Sequence, residues 1–282
     1  MSSRDRLIFP DSTVTKGDLA DYYALIAPAM LPWVGNRPVS LVRCPQGRGK
    51  QCFFQKHDAG SFGEWVHAVA IPEKNGSTED YLYVTDADGL VACVQMGTIE
   101  IHGWGSTVAA LEKPDRMVFD LDPDEGLDFA ATRGAAEHLR DLLGELGLTT
   151  FPLLSGGKGV HVVVPLTPAA EWAAVRDFAE RFARALEQDD PARFVANMAK
   201  ARRKGRIFVD YLRNGRGSTA IMPFSARARA GAPVAVPVSW TELRDMNDAH
   251  PFCVRDAATL IDRANGRGLL GWGVAEQVLP DL

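Results

Sequence analysis

The chain has 282 residues, 46% hydrophobic and 24% charged, with a formal net charge of −5; this is the profile of a soluble globular protein with one large domain or two joined lobes. No apolar run reaches the ~18 residues of a membrane span, the polar start lacks a secretory core, and four scattered cysteines without a C-x-x-C pair argue against a zinc site or disulfide framework and for a reducing cytoplasm. The net charge argues weakly against a nucleic-acid binder, yet residues 193–229 hold ten Lys/Arg and one acid, Asp210, so an acidic body carries a basic segment able to meet a polyanion.

In chain order, Thr15-Lys16-Gly17-Asp18 reads as a helix start with Thr15 as N-cap and an acid at N3. Leu19, Tyr22, Tyr23, Ile26 and Met30 follow at helical spacing, with a stop near Pro32. Residues 39–43 read as a strand, 45–49 as a turn and 52–57 as a short strand with two adjacent aromatics. Either one of Phe53 and Phe54 faces outward or toward a ligand, or both are packed, which is the plainer expectation. Residues 81–85 read as a strand, and Asp88 as the cap of a short helix over 89–96. Residues 99–104 alternate, with Ile99 and Ile101 on one face and Glu100, His102 and Trp104 on the other.

The next strand, 116–123, is the informative one. It places Asp120 and Asp122 on one face and Phe119 and Leu121 on the other, and it stops at Pro123 and the acidic turn that follows. Two like charges this close repel unless a cation sits between them. The pair is therefore either a Mg²⁺-type site for phosphoryl or nucleotidyl transfer or a solvated strand end. A helix over 129–146 and a strand over 149–154 lead to Ser155-Gly156-Gly157-Lys158-Gly159-Val160-His161. That loop reads as a hairpin whose glycines would admit a phosphate close to the backbone; it lacks Walker A spacing. A long amphipathic helix over 168–186 has Trp172, Val175, Phe178, Phe182 and Leu186 inward. The strand 207–212 then carries Asp210, a candidate third metal ligand or the partner of a nearby Arg. A short strand over 219–224 and helices over 240–246 and 257–264 complete the reading, with no internal repeat.

Taken together, Phe119-Asp120-Leu121-Asp122-Pro123, Ser155 to His161 and Val209-Asp210-Tyr211-Leu212-Arg213-Asn214-Gly215-Arg216-Gly217 resemble the polymerase domain of bacterial DNA ligase D, a branch of the archaeo-eukaryotic primase superfamily. Thr15-Lys16-Gly17-Asp18, Arg37-Pro38, Phe53-Phe54-Gln55-Lys56-His57, Ile101-His102-Gly103-Trp104-Gly105 and Pro223-Phe224-Ser225-Ala226-Arg227 are similar to that family's supporting motifs. The resemblance implies an α/β (α+β) primase-type catalytic domain, with an N-terminal α/β lobe over about 1–110 and a lobe with an RRM-like central sheet over about 111–282. It implies template-directed addition of NTPs or dNTPs, often ribonucleotides, in gap filling and non-homologous end joining, with two Mn²⁺ or Mg²⁺ ions. Carried over by position, Asp120, Asp122 and Asp210 would bind metal, with His102 beside them in the catalytic set. Ser155, Lys158, His161, Arg203, Arg227 and Lys56 would contact the nucleotide, Lys16 and Arg6 a DNA 5′-phosphate, and Phe53 and Phe54 the template bases. The implied partners are DNA with a gap, overhang or 5′-phosphate, bacterial Ku and a DNA ligase. The implied setting is the cytoplasm at the nucleoid, as a monomer or a DNA-synapsed dimer. The sequence shows no K-x-D-G ligase motif and no phosphoesterase-like His cluster, as expected of an excised domain or a stand-alone homologue. De novo priming and non-catalytic bridging of DNA ends are the competing readings.

Overall fold

A short hairpin, β1 (Leu7–Phe9) and β2 (Val14–Thr15), delivers the chain into helix α1 (Lys16–Val34). Thr15 Oγ1 accepts the Asp18 N–H at 3.1 Å and Asp18 Oδ2 accepts the Thr15 N–H at 2.8 Å, so two otherwise unpaired donors satisfy each other. The helix runs two residues past Pro32, and the Gly35 N–H closes it onto the Leu31 carbonyl at 2.8 Å. This computed structural model describes residues 1–57, 60–73 and 75–280.

The strands β3 (Val39–Arg43) and β4 (Phe53–Gln55) form a hairpin in which Arg43 faces Phe53. That register sets Cys44 and Cys52 opposite each other, and they are joined in a disulfide with Cα atoms 4.3 Å apart. The expectation of scattered, unbridged cysteines is thus corrected: eight positions apart in sequence, the pair is brought together by the hairpin, which spacing alone did not reveal. The ribbon β5 (His67–Pro72) and β6 (Thr78–Tyr83) stands apart as a two-stranded sheet. The expected strand over 81–85 is shifted, because the polar Thr78-Glu79-Asp80 run pairs with β5 and hides the true start. Helix α2 (Ala87–Gln95) is capped by Asp86 rather than Asp88; Asp86 is extended at φ −148° and accepts the Gly89 N–H at 2.9 Å, whereas Asp88 falls inside the first turn. Strand β7 (Thr98–Gly103) follows and pairs with β3.

The second half runs β8 (Arg116–Pro123), α3 (Phe129–Glu145), β9 (Phe151–Leu154), β10 (Val160–Pro165) and α4 (Trp172–Asp189). It continues through β11 (Phe194–Val195), β12 (Ile207–Asp210), β13 (Ala220–Ile221), β14 (Val236–Pro237), α5 (Trp240–Asp245) and α6 (Ala257–Ala264). Helix α4 starts four residues later than its apolar pattern suggests, because Glu171 is the extended entry residue. Strand β12 stops at Asp210 rather than 212: Asp210 Oδ1 accepts the Leu212 N–H at 2.9 Å and turns the chain.

Two sheets result. One has the order β11-β12-β8-β10-β9-β14, with β8 flanked by β12 and β10, and the other has the order β13-β7-β3-β4. The second takes its edge strand β13 from the C-terminal half, so the two sheets are laced together. Met117, Phe119 and Leu121 are fully buried on one face of β8, and the Phe119 and Phe182 rings lie 5.1 Å apart. Burying each such side chain contributes roughly 1.5–3 kcal/mol, which fixes the strand's parity and turns Asp120 and Asp122 the other way. Arg37, ahead of β3, pairs with both carboxylate oxygens of Asp115, ahead of β8, and ties the sheets across their junction.

Candidate active site

Strand pairing sets the geometry. Asp120 lies opposite His161 on β10 and opposite Asp210 on β12. Cross-strand partners share a face, so His161, Asp120 and Asp210 form one row, with Asp122 one pleat further along. His161 Nε2 is 3.4 Å from Asp120 Oδ1. Arg213 reaches between the other two acids, 3.2 Å from Asp120 Oδ2 and 3.1 Å from Asp210 Oδ2. Arg203 Nη1 donates to Asp122 Oδ2 at 2.8 Å while its guanidinium lies 3.9 Å over the Phe208 ring. Among the described residues no three acidic, histidine or cysteine side chains are drawn tightly enough to form a ready-made metal cage. Guanidinium groups carry the counter-charge instead.

The three carboxylates are not equivalent. Burial pushes Asp120 up, but the neighbouring His161 and then Arg213 outweigh it and hold this carboxyl well below the usual range. Burial raises Asp122, and the charge of Asp120 adds to it against Arg203. Burial also raises Asp210, opposed by Arg213 and assisted by Asp120. One acid is thus firmly ionised, and the other two would gain from an added cation.

The hairpin joining β9 to β10 roofs this face. Ser155 donates to the Gly159 carbonyl twice, from its N–H at 3.1 Å and its hydroxyl at 2.8 Å. A Cβ on Gly159 would sit 2.7 Å from the Leu121 carbonyl oxygen, so only glycine lets the loop lie on β8. Gly156, at φ +68°, would clash with Arg227 and the Val234 backbone. Lys158 is exposed at the tip, with no partner among the described residues. Beneath the loop lies a cavity of about 210 Å³ lined by His102, Asp120, Asp122, Ser155, Lys158 and His161, with Arg213, Arg227 and Arg229. Arg203 and Asp210 lie beside it, through their contacts with Asp122 and Arg213.

His102 enters from β7. Its Nε2 is 2.8 Å from Glu100 Oε2, and Glu100 also lies 3.2 Å from Arg227 Nε and accepts the Ala228 N–H at 2.8 Å. Burial pushes Glu100 up, but the His102 hydrogen bond and the Arg227 charge win and hold its carboxyl at about 2. Burial lowers the His102 imidazole, opposed by Glu100. Sequence reading left Glu100 and Arg213 off the site. Their signals were the E-x-H alternation on β7 and the three-residue step from Asp210.

The remaining candidates fall into three places. Lys16 and Arg6 meet in a separate pocket of about 170 Å³ lined also by Arg43, Pro45 and Gln95. Lys16 is only 5% exposed; its ammonium donates to the Ser2 carbonyl at 3.1 Å and to Gln95 Oε1 at 3.0 Å, and burial, then Arg6, lowers its pKa. Phe53 and Phe54 are 42% and 69% exposed, which overturns the plainer expectation that both are packed; β4 is a short edge strand, and Arg43 lies over the Phe53 ring at 5.4 Å. The Phe54 ring lies 5.8 Å from that of His102. Lys56 is turned aside, with its Nζ 3.0 Å from the Tyr81 hydroxyl and 3.7 Å from Glu73.

Comparison with known proteins converges on one family. The model of the LigD primase-polymerase domain matches residues 15–267. The multifunctional non-homologous end joining protein LigD of Pseudomonas aeruginosa is 41% identical over 266 residues, 94% of this chain and 32% of that protein. The bifunctional non-homologous end joining protein LigD of Bacillus subtilis is 30% identical over 268 residues, 95% of this chain and 42% of that protein. The chain therefore spans less than half the length of these relatives. The solved polymerase domain from Mycobacterium tuberculosis ligase D in complex with DNA is similar over 97% of both chains, with a TM-score of 0.90 at 33% identity. Among the described residues no helix is long and apolar enough to cross a membrane.

Proposed function

The chain belongs to the LigD primase-polymerase domain family, and from that membership we propose that it is a nucleotidyltransferase that adds nucleotides to a primer 3′-hydroxyl, directed by a template, at gaps or broken ends of DNA. The observation that carries this reading is the row His161–Asp120–Asp210, with Asp122 on the same open face, under a glycine-rich loop and beside Arg227. Asp120, Asp122 and Asp210 would hold two divalent cations, Mg²⁺ or Mn²⁺. The donor set fits, because carboxylate oxygens suit such ions and the groups now neutralising them are arginines on long, movable stems. Such ions, when bound, ease deprotonation of a hydroxyl and offset charge on phosphate oxygens.

The chain's own residues do the rest. Lys158, exposed at the loop tip, would close on the triphosphate, and Arg227 would spread the charge that develops on it. Ser155 holds the loop closed through Gly159 and would keep the glycine-rich turn against the nucleotide. His161 fixes the Asp120 carboxylate, and Arg203, now on Asp122, would turn to phosphate when a cation takes its place. His102 would lie against the sugar. Lys16 and Arg6 would anchor a 5′-phosphate across the gap, which explains how an acidic chain holds DNA without a long basic track. Phe53 and Phe54 would stack on template bases. Lys56, now held by Tyr81 and Glu73, would leave them to reach the nucleotide. Work with bacterial Ku and a ligase in end joining follows as the wider proposal.

The test is addition of one nucleotide to a gapped duplex with Mn²⁺ or Mg²⁺, with and without a downstream 5′-phosphate. Extension that follows the template base and rises with the 5′-phosphate is expected. No extension with either metal, or addition that ignores the template, refutes the proposal.

A further inference from the structure

Glu100 has no role in the reading above, yet it is the most heavily engaged carboxylate beside the pocket. It is buried on β7, and a buried carboxylate is retained only where it is paired. One partner, His102, is two residues along the same strand, and the other two, Arg227 and Ala228, come from far along the sequence. Oε2 takes His102 Nε2 at 2.8 Å and lies 3.2 Å from Arg227 Nε, while Oε1 accepts the Ala228 N–H at 2.8 Å. Arg227 in turn donates through Nη1 to the Ser155 carbonyl, so the same carboxylate is linked to the glycine-rich loop.

The chemistry of these contacts is directional. An ionised carboxylate only accepts, so the His102 proton must sit on Nε2. A neutral imidazole with its proton there leaves Nδ1 as an acceptor, and Nδ1 makes no hydrogen bond among the described residues. An acceptor cannot serve a phosphate oxygen; it suits a hydroxyl, such as that of a sugar. On the other side, Glu100 lies 3.2 Å from Arg227 Nε as an ion pair while Nη1 donates to the Ser155 carbonyl, so the guanidinium charge is held at the wall of the pocket. The pocket then presents one acceptor and one cation, which suits a ligand carrying both a hydroxyl and phosphates.

We propose that Glu100 is a positioning residue for the nucleotide: through one carboxylate it sets the tautomer of His102 and holds the charge of Arg227 in place beside it. This rests on the reading of the pocket as a nucleotide site. Glu100 touches no substrate itself. Its loss therefore weakens nucleotide capture more than the rate of the bound complex, and it acts only as far as His102 and Arg227 do.

The test compares Glu100→Gln, Arg227→Ala and the double variant in single-nucleotide addition to a gapped duplex, resolving KM for the nucleotide from kcat. Gln keeps the shape but removes the charge and sets an NH₂ group against donors. Glu100→Gln is expected to raise the nucleotide KM about tenfold or more, the size of a lost charged hydrogen bond, with a smaller change in kcat. The double variant should be little worse than Arg227→Ala alone, because the two act as a unit. A wild-type KM in Glu100→Gln alongside a raised KM in Arg227→Ala overturns the positioning role and leaves the pocket reading intact, as do penalties that multiply in the double variant. An unchanged KM in Arg227→Ala overturns the pocket reading and this inference with it. Should Glu100→Gln fail to fold, Glu100→Asp, which keeps the charge but withdraws it by one methylene, is subject to the same comparison.

Discussion

Replacing Asp122 by Asn separates catalysis from folding more cleanly than any other change at the site. The Asp122 side chain is 55% exposed, and its partner Arg203 has other anchors, the Met198 carbonyl at 2.8 Å and the Phe208 ring at 3.9 Å. An exposed ion pair contributes about 0–1 kcal/mol. Against that small loss stands a gain, because burial and the charge of Asp120 raise the Asp122 carboxyl. An acid whose pKa is raised on folding destabilises the fold at every pH above that raised value, and Asn removes this cost. The two effects nearly cancel. The midpoint of thermal unfolding should stay within about 4 °C of wild type for a chain of this size. Nucleotide addition should fall by at least about 100-fold, or ~2.7 kcal/mol of barrier, since even indirect supports of a metal site are worth 10–100-fold. Asp120→Asn provides the contrast. Asp120 is held ionised by His161 and Arg213, so it stabilises the fold above the ordinary carboxylate range, and that stability disappears as pH falls through its lowered pKa. Its loss should cost about 1–3 kcal/mol as well as activity. Gapped-duplex extension and thermal denaturation on the same preparations decide the matter. Extension by Asp122→Asn within a few-fold of wild type, or inactivity accompanied by a collapsed midpoint, would refute the reasoning.

Three further outcomes are expected. Lys16→Ala should erase most of the preference for a 5′-phosphorylated gap, about 10–100-fold as measured by competition binding with 5′-phosphate and 5′-hydroxyl duplexes; a retained preference would dissociate the Lys16–Arg6 pocket from the DNA end. Phe53→Ala with Phe54→Ala should weaken binding of templated DNA by about 1–3 kcal/mol per stacked base. Because both rings are exposed, unfolding should barely move, and anisotropy titration showing unchanged affinity would remove the stacking role. Arg37→Ala should cost about 3–5 kcal/mol, because it leaves Asp115 without the bidentate partner that joins the two sheets. Urea denaturation showing a loss under 1 kcal/mol would mean Arg116 alone satisfies Asp115.

The parts of the fold legible in the sequence are those where one residue's local chemistry decides. The Thr15/Asp18 box starts α1, the apolar alternation of Met117, Phe119 and Leu121 fixes the parity of β8, and α4 shows its inward stripe from Trp172 to Leu186. The parts that were not legible depend on pairing at a distance. The polar Thr78-Glu79-Asp80 start of β6 carries no apolar alternation of its own, and it is a strand because it pairs with β5. The same holds for Cys44 and Cys52, whose bond is a consequence of hairpin register. At the site, the acids and the glycine loop could be named from composition and order. Which of ten basic residues between 193 and 229 would lie against which acid could not, because a long side chain reaches across strands in directions that sequence spacing does not encode.

That last gap bears on how the site works. Parity alone places three carboxylates on one open face, an arrangement that would repel itself. The fold answers with arginines: Arg213 between Asp120 and Asp210, and Arg203 on Asp122. An arginine side chain is a reversible counter-ion, long enough to leave and still charged when it does. If cations bind the acids, the same guanidinium groups become available to an incoming polyphosphate, so neutralising the site and charging the nucleotide pocket are one event. Arg227 is different in kind. It is held by buried Glu100 and not by the acid row, so it stays in place whether or not the row is occupied. On this proposal the site would combine fixed and exchangeable cations, with Glu100 the residue that separates the two.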